Sequence, residues 1–75
     1  MADARKMIEA MLPPGQKSFT TAELANIFGI REGRFEEWRS LKSGGPSFVK
    51  LGRFVRYPRP AVIEWAISDA TLMAS

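Results

Sequence analysis

The sequence predicts a mostly helical α+β fold, and three observations carry that prediction. A capping signature at Thr20–Glu23 opens a short apolar-periodic segment that stops at Gly29, and a second such segment follows after a brief turn. The stretch SFVKLGRFVRY, Ser47 to Tyr57, alternates apolar residues with cations around one glycine, the pattern of a two-stranded antiparallel hairpin. A proline-led amphipathic segment, AVIEWAISDATL, comes after it.

Taken in chain order, Asp3 is positioned to cap a first helix, ARKMIEAML, on which Met7, Ile8, Met11 and Leu12 share a face. Pro13-Pro14-Gly15 ends it and reads as a linker, dividing residues 1–15 from a main domain over 16–75. So short a helix is marginal alone, and its apolar stripe needs a surface, either in its own domain or on a neighbouring copy. Packing within the chain is the preferred reading, because a 75-residue domain needs the area.

In the next helix Thr20 caps, Glu23 returns the bond, and Phe19 stands in the staple position opposite Leu24. Leu24, Ala25, Ile27 and Phe28 form its buried face, Gly29 ends it in a left-handed conformation, and Ile30 plugs the turn. A third helix, EGRFEEWRSLK, is expected to bury Phe35, Trp38 and Leu41 before SGGP stops it. In the hairpin, alternation assigns Val49, Leu51, Val55 and Tyr57 to a docking face, and Phe48, Lys50, Phe54 and Arg56 to the other, with Gly52-Arg53 as the turn. Pro60 then starts a last helix that buries Val62, Trp65 and Ala66, flanked by Ile63 and Ile67.

The composition removes several function classes. With no cysteine and no histidine, disulfides, thiolate metal sites and the commonest general base are all missing. No paired carboxylates at a suggestive spacing replace them, so the expectation is a protein that is not an enzyme and has no cofactor. The longest apolar runs fall well short of a membrane span, and no signal segment is apparent, so no membrane partner is expected and a cytoplasmic location is. The net charge of +3 is unevenly spread. Arg31 to Arg59 holds eight basic residues against three acids, an excess of +5, while the remainder holds three against five, or −2. Charge focused in this way suits an anionic partner.

The order helix, turn, helix, basic hairpin, helix, carried by TTAELANIFGI, FEEW and GPSFVKLGRFVRYPRPAVIEWA, resembles the winged helix-turn-helix domains of phage and mobile-element excisionases, AlpA-like regulators and the MerR-type fold. The resemblance covers Phe19 to Asp69. It implies an α+β winged helix-turn-helix with a two-stranded wing and an additional N-terminal helix. Glu32 to Lys42 would then be a recognition helix in the major groove of double-stranded DNA, and Gly52-Arg53 a wing tip reaching the minor groove. Family members more often carry Ser or Thr where this chain has Arg31.

The candidate DNA-binding residues are Thr21, Glu32, Gly33, Arg34, Glu36, Glu37, Arg39, Ser40, Lys42, Lys50, Arg53 and Arg56. At about 100° per residue, the outward side of the third helix centres on Gly33, Glu36 and Ser40, flanked by Glu32, Glu37 and Arg39, with Arg34 nearer the buried side. Two accounts of the acids are open: Glu36 or Glu37 accepts from cytosine N4, or the acids position Arg34 and Arg39 and leave affinity to the wing. Trp38 and Trp65 are at core spacing. Thr21 lies at a helix N-terminus able to meet phosphate, although capping alone explains the threonine pair.

The role implied by the resemblance is that of an excisionase, a recombination directionality factor that binds repeated sites cooperatively, bends DNA and directs a phage integrase toward excision in a bacterial host. Self-association on adjacent sites goes with it, and the first helix is the candidate contact. An AlpA-like transcriptional regulator and a packaging-site binder resembling small terminase subunits are the alternatives on DNA. A winged helix that binds an acidic protein is the alternative of another class.

Overall fold

The computed structural model describes residues 2–69 and contains four helices and a three-stranded antiparallel sheet. Helix α1 spans Ala2–Met11, strand β1 Ser18–Phe19, α2 Thr21–Phe28, α3 Glu32–Leu41, β2 Val49–Leu51, β3 Phe54–Pro58 and α4 Arg59–Asp69. The extension of the last helix through Leu72 that the sequence suggests lies outside the described residues. None of the described helices is long and apolar enough to cross a membrane.

The caps of α2 form as the sequence predicts. Thr20 Oγ1 accepts from the Glu23 backbone N–H at 3.1 Å, and Glu23 Oε1 accepts from the Thr20 N–H at 2.8 Å, closing the capping box. Phe19 and Leu24, the staple pair, are both fully buried. Gly29 takes φ +68, and the N–H groups of Gly29 and Ile30 both reach the carbonyl of Ala25. The α1 boundary differs from expectation. The helix begins at Ala2, so Asp3 lies inside its first turn and is not its cap.

One core joins all the helices to the sheet: Ile8, Leu12, Phe19, Leu24, Phe35, Tyr57, Val62, Ile63 and Ala66. Helix α1 packs on α4 and buries Ile8, with Leu12 buried just past its end, while Met7 and Met11 stay exposed. The Arg59 guanidinium donates to the carbonyls of Pro13 (2.7 Å) and Gln16 (3.1 Å), and its N–H to that of Lys17 (2.7 Å), clamping the Pro-Pro-Gly turn to the start of α4. Leu41, expected in the core, is exposed. Six residues after Phe35, a 3.6-residue helix has rotated about 120° away from it.

The sheet corrects the hairpin reading in two ways. Phe19 pairs with Tyr57 and Ser18 with Pro58, so β1 adds a third strand and the order is β1-β3-β2. In β2 and β3 the partners are Val49 with Arg56, Lys50 with Val55 and Leu51 with Phe54. Directly opposed residues share a face, so Val49 and Leu51 stand beside Phe54 and Arg56, and Lys50 beside Val55 and Tyr57. A two-residue turn makes this unavoidable, because alternation counted straight through the turn inverts one strand. The expected docking face is thereby split. Only Val55 and Tyr57 meet the core, and Val49 and Leu51 are exposed.

Candidate nucleic-acid interface

Between Glu37 and Glu64 the chain contains no acid and six cations: Arg39, Lys42, Lys50, Arg53, Arg56 and Arg59. The fold gathers this stretch into the C-terminal half of α3, the connection after it and the hairpin. The cations then separate into those consumed by the fold and those left facing outward.

Arg39, Arg56 and Arg59 are half-buried and occupied. Arg39 donates to Thr21 Oγ1 at 3.1 Å and to the Tyr57 hydroxyl, and lies about 6 Å from the ring centroids of Phe48 and Tyr57. This arginine therefore braces α3 against the start of α2 and against β3. Thr21, expected near phosphate, is the acceptor of that brace. Arg56 donates to Ser18 Oγ through Nη2 (2.9 Å) and Nε (3.3 Å), tying β3 to β1. The Glu23 carboxyl is held below its usual range, first by the Thr20 N–H, against a smaller opposing effect of burial, then by Gln16 and the Thr20 hydroxyl, with the positive charge of Arg56 adding to it. Arg59 secures the turn before β1, as described above.

The outward group consists of Arg31, Arg34, Lys42, Lys50 and Arg53, all exposed. Arg34 pairs with Glu37 at 3.7 Å across one helical turn and stacks on Trp38 at 5.7 Å, the proximity that the positioning account of the α3 acids expects for Arg34. Arg39 has no such acid among the described residues, and its partners are Thr21 and Tyr57. No described acid pairs with Arg31, Lys42, Lys50 or Arg53. Arg31, which the sequence reading counted as charge but not as a site residue, lines a surface depression together with Arg34 and Trp38. Glu32, Gly33, Glu36 and Ser40 are exposed on α3, and a Cβ at Gly33 would meet nothing within 4 Å.

Lys42 and the hairpin frame an open groove of about 380 Å³ lined by Phe35, Trp38, Arg39, Lys42, Phe48 and Tyr57. Lys42 is the only described non-glycine residue with positive φ (+52), where it caps α3. After it, Gly44 and Gly45 pass over the Trp38 ring so closely that a Cβ would lie 2.9 and 2.8 Å from it. Trp38 also meets Phe35 and Trp65 edge-on, at 5.3 and 5.8 Å, which fixes it as a packing residue. The register places Lys50 on the hairpin face shared with Tyr57, Arg53 at the tip and Arg56 on the opposite face. The three hairpin cations therefore do not form one row.

Leu51 and Phe54, 61% and 68% exposed, flank the tip as cross-strand partners. Sequence alternation had assigned Leu51 to the docking face, and only the pairing register reveals its exposure. Comparison of the chain with protein-family models, with curated proteins and with solved structures gives no match.

Proposed function

We propose that this chain is a sequence-specific double-stranded DNA-binding protein of the winged helix-turn-helix type, with α3 as its recognition helix and the β2–β3 hairpin as its wing. The observation that carries the reading is the acid-free stretch from Trp38 to Ile63, which the fold displays as unpaired cations on the end of α3 and on the hairpin. Arg31, Lys42, Lys50 and Arg53 supply phosphate contacts, and Arg34 is held over the first turns of α3 by Glu37 and Trp38. Arg39, Arg56 and Thr21 position the helix and wing, and so act on DNA indirectly.

The biological role that the resemblance implies for such a unit is that of a phage or mobile-element excisionase, binding repeated sites side by side and assisting an integrase. In such an assembly Met7 and Met11, exposed on α1, supply the contact to a neighbouring copy, while Ile8 and Leu12 hold the helix in place.

Selection from a random duplex library at about physiological salt tests the reading. Enrichment of a short site in direct repeats supports it, a single inverted repeat points to a dimeric regulator, and no enrichment removes sequence-specific binding. Four phosphate contacts per protomer correspond to a loss of about 150-fold in duplex affinity between 50 and 200 mM salt. A flat salt response refutes the assignment of the unpaired cations.

A further inference from the structure

We propose that Leu51 and Phe54 form an apolar wedge that enters the minor groove of double-stranded DNA and partly unstacks one base step, kinking the duplex at the hairpin tip. The inference rests on the DNA-binding reading and adds to it a means of deforming DNA.

The geometry begins with the register. Leu51 and Phe54 oppose one another directly, so their side chains stand together on one face, immediately before and after the Gly52-Arg53 turn. Gly52 takes φ +64 as the first residue of that two-residue turn, which keeps the tip narrow. Both side chains are more than half exposed, and Val49 on the same face is 45% exposed. Scattered surface apolar residues need no explanation. Two large ones paired at the end of a hairpin, with Arg53 in the turn between them, Arg56 on the same face and no acid from Trp38 to Ile63, do.

The chemistry of that surroundings selects the occupant. A partner must be strongly anionic and offer an apolar slot about two side chains wide. Duplex DNA meets both needs: phosphates line the groove, and a separated base step accepts Leu or Phe between its rings. A second copy of the chain fits poorly, since two side chains fall far short of the roughly 800 Å² per partner of a stable interface. A lipid surface fits poorly too, because even one myristoyl chain, with more carbons than these two side chains together, anchors only marginally.

The test uses the full chain and a plasmid carrying the duplex enriched in the library selection. Topoisomerase relaxation in the presence of protein reads unwinding, and end-to-end energy transfer on the same short duplex reads the bend. The variant is L51T/F54T, which keeps strand-forming residues at two exposed positions; circular dichroism melts check that it folds as the wild type does. Wild type is expected to unwind and bend the duplex. The variant is expected to bind with the same salt slope, on the order of tenfold more weakly, and to lose both deformations. Wild-type binding without unwinding overturns the wedge and leaves the DNA-binding reading standing, as does a variant that bends as well as wild type. An effect of the variant confined to anionic phosphatidylglycerol vesicles, or to self-association in ultracentrifugation, overturns it in favour of those occupants. Failure of the wild type to select any duplex overturns both readings together.

Discussion

Nη1 of Arg39 donates to Oγ1 of Thr21 at 3.1 Å, across 18 residues of sequence. The same nitrogen meets the Tyr57 hydroxyl, 18 residues in the other direction, so one guanidinium sets α3 relative to α2 and the sheet. Hydrogen bonds to a charged group are worth about 1.5–3 kcal/mol each. Arg39→Ala should therefore lower the unfolding free energy by about 2 kcal/mol or more, read from urea titration. Arg39→Lys should recover little of this, because an ammonium on a shorter stem lacks the planar group that lies about 6 Å from the Phe48 and Tyr57 rings while its Nη1 reaches both oxygens. Thr21→Val should cost about 1 kcal/mol, and combined with Arg39→Ala should fall short of additivity by at least about 0.5 kcal/mol. Strict additivity would show that the two side chains do not act together.

The capping box gives a prediction in pH. The folded-state pKa of Glu23 is depressed below the ordinary value of 4.5, chiefly by the Thr20 N–H. A depressed carboxyl contributes stability that is complete above its unfolded value and is lost as pH falls through its folded value. Stability should thus decline below about pH 4.5 partly through this one group. Glu23→Gln keeps an acceptor for the Thr20 N–H but removes the titration, so its stability should vary less with pH in that window. Equal slopes in the two proteins would place the acid sensitivity elsewhere. A side-chain carboxyl titration followed by NMR reads the pKa of Glu23 directly.

How much of this was legible in the sequence depended on the range of each signal. The caps of α2, the staple of Phe19 on Leu24 and the stop at Gly29 are local patterns, and each forms as read. The order of helices and hairpin followed from the same kind of signal. The faces of the hairpin did not, because alternation must be counted outward from the turn, with Leu51 matched to Phe54. Strand β1 has only two residues, too few for any period, and exists because Phe19 lies opposite Tyr57. At the candidate interface, charge marked a region of the chain but could not sort its residues. Whether a given arginine is exposed or occupied depends on partners such as Ser18 for Arg56, 38 residues away, which only the folded chain brings within reach.

The glycine of the connection after α3 and the glycine of the hairpin turn should differ sharply in what they tolerate. Gly45 combines φ +74 with a Trp38 ring 2.8 Å from any added Cβ, whereas Gly52 has φ +64 and open space. Ala at Gly52 meets only left-handed backbone strain, about 1 kcal/mol. Ala at Gly45 adds a clash with a packed indole, and should cost about 1–3 kcal/mol more. Urea midpoints of the two variants, together with Trp fluorescence as a probe of the displaced ring, check the ordering. Equal costs would mean that the ring yields freely.

Two of the unpaired cations, Lys50 and Arg53, are on the hairpin and touch no described acid. If each contacts one phosphate, K50A/R53A should reduce the magnitude of the salt slope of duplex binding by about 1.8, from about 3.6 to about 1.8. Exposed charges of this kind contribute little to folding, so the melting temperature should remain close to that of wild type. A double variant with an unchanged slope would remove the hairpin from the phosphate contacts and shift them to Arg31, Arg34 and Lys42.

Lys42 presents a conflict between conformation and charge. It caps α3 at φ +52, a position that favours glycine, in a sequence that supplies two glycines only two and three residues later. A lysine there carries a backbone strain of about 1 kcal/mol, and its exposed ammonium stands at the rim of the groove beside Arg39 and Phe48. Strain of this sort persists where the side chain serves a purpose that glycine cannot. Lys42→Gly should therefore raise the urea midpoint by an amount equivalent to about 0.5–1 kcal/mol, while weakening duplex binding and lowering the magnitude of the salt slope by about 0.9. A variant that gains stability with no loss of affinity would show that Lys42 contributes nothing to DNA contact. One that loses both would show that the lysine stem packs against the groove and that strain is not the dominant effect.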